Sequence, residues 1–346
     1  MISALDPTPP VRGLHKAIVN AARSQPPNVG ATPATVVWSR GKMRLLRYHA
    51  DCVPAGPAVL IVTSLMSRSY VLDLRPADSF VGTLLAGGFD VYLVDWGAAD
   101  SAENQHTFET YIDRYLEPAV RIVHNRSDQA GVSLVGYCLG AVLALLLQAR
   151  HPDLPTRGVA TLAAPIDLRE IGFFTKVLKA GRVDVNDLLD DTGNISPRVI
   201  RNSFRLLKPT SDATQTVALA KSLSNDGRLA VHRAMDHWIN DHVPFSGALA
   251  RQIVSTMVER NALVEQAPVL RGRTVTLRHM RRPLLNIVAA RDDIVPAAAS
   301  TCLPELVGST QRSQVLVDAG HVGLVLGRSA RSTTLPVLVQ WLRNQA

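Results

Sequence analysis

Residues 132–148, VSLVGYCLGAVLALLLQ, constrain the fold more than any other stretch of this chain. A short apolar run leads into Gly136-Tyr137-Cys138-Leu139-Gly140, and a long apolar helical pattern follows, which predicts a strand, a sharp turn and a helix. The two glycines leave room where a side chain would collide with the neighbouring strand or helix. Cys138 would then stand at the N-terminus of a helix, where the partial positive charge favours a thiolate.

The same five residues have a second interpretation. Free cysteine is among the most buried residue types, and a small buried thiol in a glycine-containing turn would show the same pattern. Whether Cys138 is a nucleophile therefore depends on whether the rest of the chain supplies a base, an acid and backbone donors.

Length and composition exclude several classes of protein. The chain has 346 residues, of which 47% are hydrophobic, enough for one large α/β unit with an insertion. No apolar run reaches the roughly 18 residues of a membrane-spanning helix, and no signal peptide is evident. Cys52, Cys138 and Cys302 lack the spacing of a disulfide framework or a zinc site. We therefore expect a cytoplasmic protein without metal or cofactor, in which Cys52 and Cys302 are structural.

The formal net charge of +8 raises the question of an anionic partner. The arginines are scattered rather than arranged in a stripe, and no DNA- or RNA-binding motif is present. An anionic small molecule or a lipid-coated surface is at least as good an explanation, and we expect no nucleic-acid partner.

The order of strands and helices predicts the architecture. Strand and helix patterns alternate from Val59 to about Pro165 and resume at Pro283, which indicates a mostly parallel central sheet with helices on both faces. Helical segments dominate between these parts and predict a cap that bounds a pocket and screens it from water. The predicted division is an N-terminal arm (1–35), the first part of the core (36–167), a helical cap insertion (168–276) and the second part of the core (277–346).

The partners of a nucleophile follow Cys138 in the order that α/β-hydrolases use: nucleophile, acid, histidine. Asp292 comes just after a buried strand, and His321 lies in the loop after the last strand. His321 would take the proton from Cys138, and a carboxylate would hold the imidazole in the required tautomer. Asp293 is the second candidate for this carboxylate.

Backbone donors for an oxyanion are predicted from the same fold. The residue after the nucleophile, Leu139, supplies one N–H, and the loop after strand 59–62 supplies the other, from Leu65 or Met66. Two histidines of the predicted cap, His237 and His242, could face the pocket, but a solvated or hydrogen-bonded histidine is the simpler interpretation.

Together these residues resemble the poly(3-hydroxyalkanoate) synthases, in particular the short catalytic subunit called class III. The resemblance runs from about Val36 to the C-terminus. Besides the Cys138 elbow and residues 283–296, the matching stretches are YVLDLRP (70–76), VYLVDWG (91–97), APID (164–167), GNISP (193–197), HWIND (237–241) and GHVG (320–323). Departures from the family pattern are Tyr137 within the elbow, Ala141 in place of a second glycine, and Asp293 in place of histidine.

The resemblance implies an acyltransferase with an α/β-hydrolase fold that polymerises 3-hydroxyacyl-CoA into a polyester and releases CoA. It implies that Cys138 accepts the acyl group, His321 is the base and Asp292 is its partner. Implied partners are the growing polyester or its granule surface, a second synthase subunit and further copies in a homo-oligomer. Two alternatives stay open: a thioesterase or polyester depolymerase on the same fold, and a granule-bound protein with a degenerate site.

Overall fold

An eight-stranded sheet forms the centre of the protein. The computed structural model describes residues 27–49, 56–127, 131–171, 175, 183–207, 226–265 and 268–345. The strands are β1 (Ala34–Arg40), β2 (Met43–Tyr48), β3 (Ala58–Val62), β4 (Asp90–Asp95), β5 (Val132–Tyr137), β6 (Thr156–Leu162), β7 (Leu284–Ala289) and β8 (Arg312–Val317), in the spatial order β1-β2-β4-β3-β5-β6-β7-β8. Only β2 runs opposite to the other seven strands, so the predicted mostly parallel sheet is confirmed.

Helices cover both faces of this sheet, as predicted. Helices α1 (Phe80–Ala86) and α8 (Leu335–Asn344) pack on one face, and α2 (Glu117–Arg126) and α3 (Leu139–Arg150) pack on the other. Every residue of β3, β4, β5 and β7 is buried, which explains why these strands have continuous apolar runs instead of alternation.

Helical segments also fill the predicted cap region. They are α4 (Pro197–Leu207), α5 (Asp226–Asn240) and α6 (Gly247–Ile253), the last continued by a π-helical segment (Val254–Glu259). Among the described residues of this region, strand character is limited to short pairs. One pair joins Asn194–Ile195 to Phe245–Ser246, where the sequence predicts the start of a helix. The division into arm, core and cap stays a prediction, and a helix expected over 213–223 lies outside the described residues.

Several element boundaries differ from the sequence-based expectation. A single helix was expected over 108–124, but the structure has a π-helical segment (Thr110–Leu116) followed by α2. The final helix likewise begins with a π-helical segment (Ala330–Thr334) before α8, and α7 (Ala297–Thr301) follows β7. Proline is the second residue of both α2 and α8, and because it has no N–H to donate to the preceding turn, it fits the change from π-helical to α-helical bonding at these points. No described helix is long and apolar enough to cross a membrane.

A pair of leucine substitutions tests this account of the core. Leu60 in β3 is fully buried between β4 and β5, so Leu60→Ala should lower the free energy of unfolding by about 2–5 kcal/mol. The matched control is Leu316→Ala in the edge strand β8, where 60% exposure leaves a change within about 0.5 kcal/mol. If urea unfolding shows that both variants lose the same free energy of unfolding, the assignment of β3 to the centre of the sheet is contradicted.

Candidate active site

The turn between β5 and α3 holds Cys138 in a conformation that few side chains adopt. Its φ is 55° and its ψ is −126°, and its N–H donates to the carbonyl of Leu162 at 2.9 Å. A Cβ atom on Gly136 would lie 2.4 Å from Cα of Ala141, and one on Gly140 would lie 2.1 Å from the carbonyl oxygen of Val62. Backbone atoms cannot retreat from such contacts, so both glycines are required sterically. The structure therefore has the strained turn that the sequence predicts.

His321 and Asp292 meet beside this turn. Nδ1 of His321 lies 2.7 Å from Oδ2 of Asp292, and both side chains are buried. The other oxygen of Asp292 accepts hydrogen bonds from the backbone N–H groups of Ile294 and Val295, each at 2.8 Å. These three bonds fix the carboxylate and, through it, the tautomer and orientation of the imidazole. Asp293 is exposed, so the structure places the first of the two candidate carboxylates against the histidine.

The charge state of His321 connects it to Cys138. Burial alone lowers the pKa of His321, but the negative charge of Cys138 and hydrogen bonds with Asp292 and Cys138 outweigh burial and raise this pKa to about 10. The imidazole is therefore protonated at neutral pH when the sulfur is a thiolate. Burial raises the pKa of the Cys302 thiol, so this second cysteine stays protonated, in keeping with a structural role. Cys52 lies outside the described residues.

Tyr137, which departs from the family pattern, contacts both the backbone and the ring of His321. Its hydroxyl donates to the backbone carbonyl of His321 at 3.2 Å, and the two rings lie 5.1 Å apart. Burial, with the charges of Cys138 and Asp292, raises the pKa of this phenol well above its usual value, so it remains a donor. Sequence reasoning missed this contact, and its only signal was an aromatic residue directly before the nucleophile.

A large apolar cavity opens onto the cysteine. Its volume is about 240 Å³, and Cys138, Leu139 and Met66 line it together with cap residues. Within the described part of the chain its lining has no charged side chain, and its two hydroxyl groups, on Thr175 and Ser203, donate to backbone carbonyls of their own segments. The cavity thus suits an acyl chain far better than a phosphate.

The oxyanion candidates occupy different surroundings. Leu139 is the first residue of α3, where an N–H has no intrahelical acceptor. The side chain of Leu65 lies instead in a second, small cavity with Trp96, while Met66 lines the cavity at Cys138. Of the two candidates, Met66 is the one that lines the same cavity as Cys138. Neither His237 nor His242 lines the described cavity, and no described cluster of three ligating side chains could hold a metal ion.

Comparisons with known proteins show the family to which this chain belongs. The family described as alpha/beta hydrolase fold matches residues 57–327. A poly(3-hydroxyalkanoate) polymerase subunit PhaC of Allochromatium vinosum is 30% identical over 340 residues, which cover 96% of this chain and 95% of that protein. The chain belongs to the poly(3-hydroxyalkanoate) polymerase family. It is accordingly an acyltransferase-type enzyme on the α/β-hydrolase fold.

Other members of the polymerase family differ in length. The subunit PhaC of Synechocystis is also 30% identical, with 92% of this chain and 86% of that protein covered. The subunit of Haloferax mediterranei is 29% identical over 92% of this chain, which spans only 65% of that protein. Among solved structures, a lipase from Sulfolobus solfataricus described as putative matches with a TM-score of 0.58 and 14% identity over 91% of this chain and 99% of that one, which shows the fold alone.

The interaction between sulfur and imidazole can be tested by titration. Cys138→Ser removes the thiolate that raises the pKa of His321, so this pKa should fall clearly below about 10. NMR titration of the His321 ring protons measures it, with Cys302→Ser as the control that leaves it unchanged. A titration curve unaltered by Cys138→Ser would contradict contact between these groups.

The steric requirement at the elbow gives a second test. Gly140→Ala should abolish alkylation of Cys138 by iodoacetamide, because the new Cβ would force α3 away from β3. The control is Ala141→Gly, which removes a methyl group from the next residue of the same helix. It should lower the free energy of unfolding by only about 1 kcal/mol. Wild-type labelling of a folded Gly140→Ala variant would contradict the proposed packing.

Proposed function

We propose that this enzyme polymerises 3-hydroxyacyl-CoA into a polyester through an acyl intermediate on Cys138. The observation that carries the proposal is the buried hydrogen bond between His321 and Asp292 beside the strained Cys138 turn. The charge of Cys138 and a hydrogen bond with it are among the causes that raise the pKa of His321. In the first step the Cys138 thiolate attacks the thioester carbonyl. The resulting oxyanion would be stabilised by the N–H groups of Leu139 and Met66, where a single donor contributes about 3 kcal/mol. CoA leaves as a thiol after taking the proton of His321.

The second step extends the polymer. The acyl group on Cys138 waits for a hydroxyl group, either of another 3-hydroxyacyl unit or of the chain end. His321, now neutral, accepts the hydroxyl proton as the oxygen attacks, and Cys138 leaves as a thiolate beside the protonated ring as the thioester bond breaks. Exchange between two thioesters in the first step costs little free energy, since the same kind of bond breaks and forms.

The apolar cavity explains why a hydroxyl group rather than water would be the acceptor. Its aliphatic lining offers water almost no hydrogen-bond partners, whereas a polyester segment would fill it. Ala141, which departs from the family pattern, is buried in the core against Gly136 and does not line the described cavity.

Partners and location follow from this activity. We infer that the protein works at the surface of its own polyester in the cytoplasm, with further copies of the chain or a second subunit. The scattered positive charge of the chain, +8 in total, fits the phosphates of CoA. The reaction needs neither a metal nor a cofactor beyond the CoA thioester itself.

Product analysis tests the proposal directly. Purified protein supplied with 3-hydroxybutyryl-CoA should release CoA and form polymer, and Cys138→Ala should reduce release by at least about 10³-fold. Asp292→Asn should slow release by about 10²-fold or more, and Asp293→Asn is its matched control with a change below about threefold. Free 3-hydroxybutyrate without polymer would instead identify a hydrolase. Unchanged CoA release by Cys138→Ala would refute the covalent mechanism.

A further inference from the structure

The loop that carries Met66 is held from two sides, and one of them is the cap. On the core side, the indole N–H of Trp96 donates to the carbonyl of Thr63 at 3.0 Å, and the Thr63 hydroxyl donates to Val94 in β4. These bonds place the first residues after β3. They do not reach the residues from Met66 onward, and Met66 would supply the second N–H group of the oxyanion site.

The cap contacts the part of the loop that these core hydrogen bonds do not reach. Residues 237–242, which comprise the end of α5 and the two residues after it, are here called the cap clamp. Nδ1 of His242 lies 3.2 Å from the carbonyl oxygen of Met66. The indole N–H of Trp238 donates to the carbonyl of Arg68 at 3.2 Å. The cap thereby contacts the loop backbone at two carbonyl groups, those of Met66 and Arg68.

Asp241 adds a side-chain connection. Its two carboxylate oxygens accept from the Arg68 guanidinium at 3.3 Å and from the Tyr70 hydroxyl at 2.9 Å. The ring of Tyr70 also stacks on His237, with centroids 5.9 Å apart. Arg68 and Asp241 are each about one-third exposed, so their ion pair alone is weak, and the hydrogen bonds to Tyr70 and to the two carbonyls fix the geometry.

We propose that the cap clamp positions the Met66 N–H for the oxyanion, so that Trp238, Asp241 and His242 act as positioning residues for acyl transfer. The inference rests on the proposed function, and it gives a task to the HWIND stretch, which lies away from the described cavity. None of the three side chains needs to touch the substrate. Each acts through the backbone of residues 66–70, and the oxyanion site is complete only while the clamp is in contact with that loop.

Two reactions of the same sulfur separate this role from a general structural one. Acylation of Cys138 by 3-hydroxybutyryl-CoA develops an oxyanion and needs the Met66 N–H. Alkylation of Cys138 by iodoacetamide needs only the thiolate and forms no oxyanion. A change confined to the clamp should therefore slow acylation and leave alkylation within about twofold of the wild-type rate.

The test uses conservative variants of the full-length protein. Tyr70→Phe and Asp241→Asn should each slow acylation by roughly 10-fold, less than the 10²–10³-fold that follows complete loss of an oxyanion donor. The double variant should be little slower than Asp241→Asn alone, because Tyr70→Phe removes one of the hydrogen bonds that the same carboxylate accepts. Matched controls are Tyr48→Phe in β2 and the α5 variant Asp236→Asn, for which acylation should change less than twofold.

Two results would overturn the inference. One is unchanged acylation in both Tyr70→Phe and Asp241→Asn, and the other is a parallel fall of acylation and alkylation, which a loosened fold would cause. If wild-type protein does not react with the CoA thioester, the proposed function fails, and p-nitrophenyl acetate then serves as the acyl donor. A selective loss of that acylation in the two variants would support the clamp independently, and no loss would contradict it.

Discussion

The close approach of helix α3 to the end of strand β3 is the constraint on which the rest of this protein depends. A hydrogen atom is all that fits at residue 140, because the carbonyl oxygens of Val62 and Thr63 lie where a Cβ would be. That contact brings the start of α3, the strained Cys138 and the loop after β3 into one corner. Nucleophile and backbone donors are therefore neighbours through packing, even though about 70 residues of sequence separate them.

Burial then determines the chemistry of this corner. Cys138 lines a cavity whose described lining is mostly apolar, and His321 and Asp292, which pair with each other, are buried. In such surroundings a charge persists only when it is paired and hydrogen-bonded, and the carboxylate has three such bonds. Burial of His321 strengthens its interaction with a charge on Cys138, and the apolar lining at Cys138 suits an acyl chain and disfavours water, so charge stabilisation and substrate choice both depend on burial.

Much of this arrangement could be predicted from sequence, because short stretches carry it. The glycine spacing around Cys138 predicts the elbow, continuous apolar runs predict the central strands, and strand ends predict the places of Asp292 and His321. What could not be predicted depends on contacts distant in sequence. The hydrogen bond from Tyr137 to the His321 carbonyl joins residues 184 positions apart, and the hydrogen bonds between the cap clamp and the Met66 loop span 170 positions or more. No local pattern distinguishes Met66 from Leu65 either, since only the tertiary packing sends Leu65 into the cavity beside Trp96.

The central claim is that an acyl group is carried on the sulfur of Cys138, and one measurement addresses it most directly. The enzyme is mixed with 3-hydroxybutyryl-CoA, quenched in acid within milliseconds to seconds, digested and analysed by mass spectrometry. The account predicts a hydroxybutyryl adduct, or a short oligomer of it, on the peptide that contains Cys138 and on no peptide that contains Cys52 or Cys302. Turnover to product with Cys138 unmodified at every quench time, or an adduct on a different residue, would contradict it.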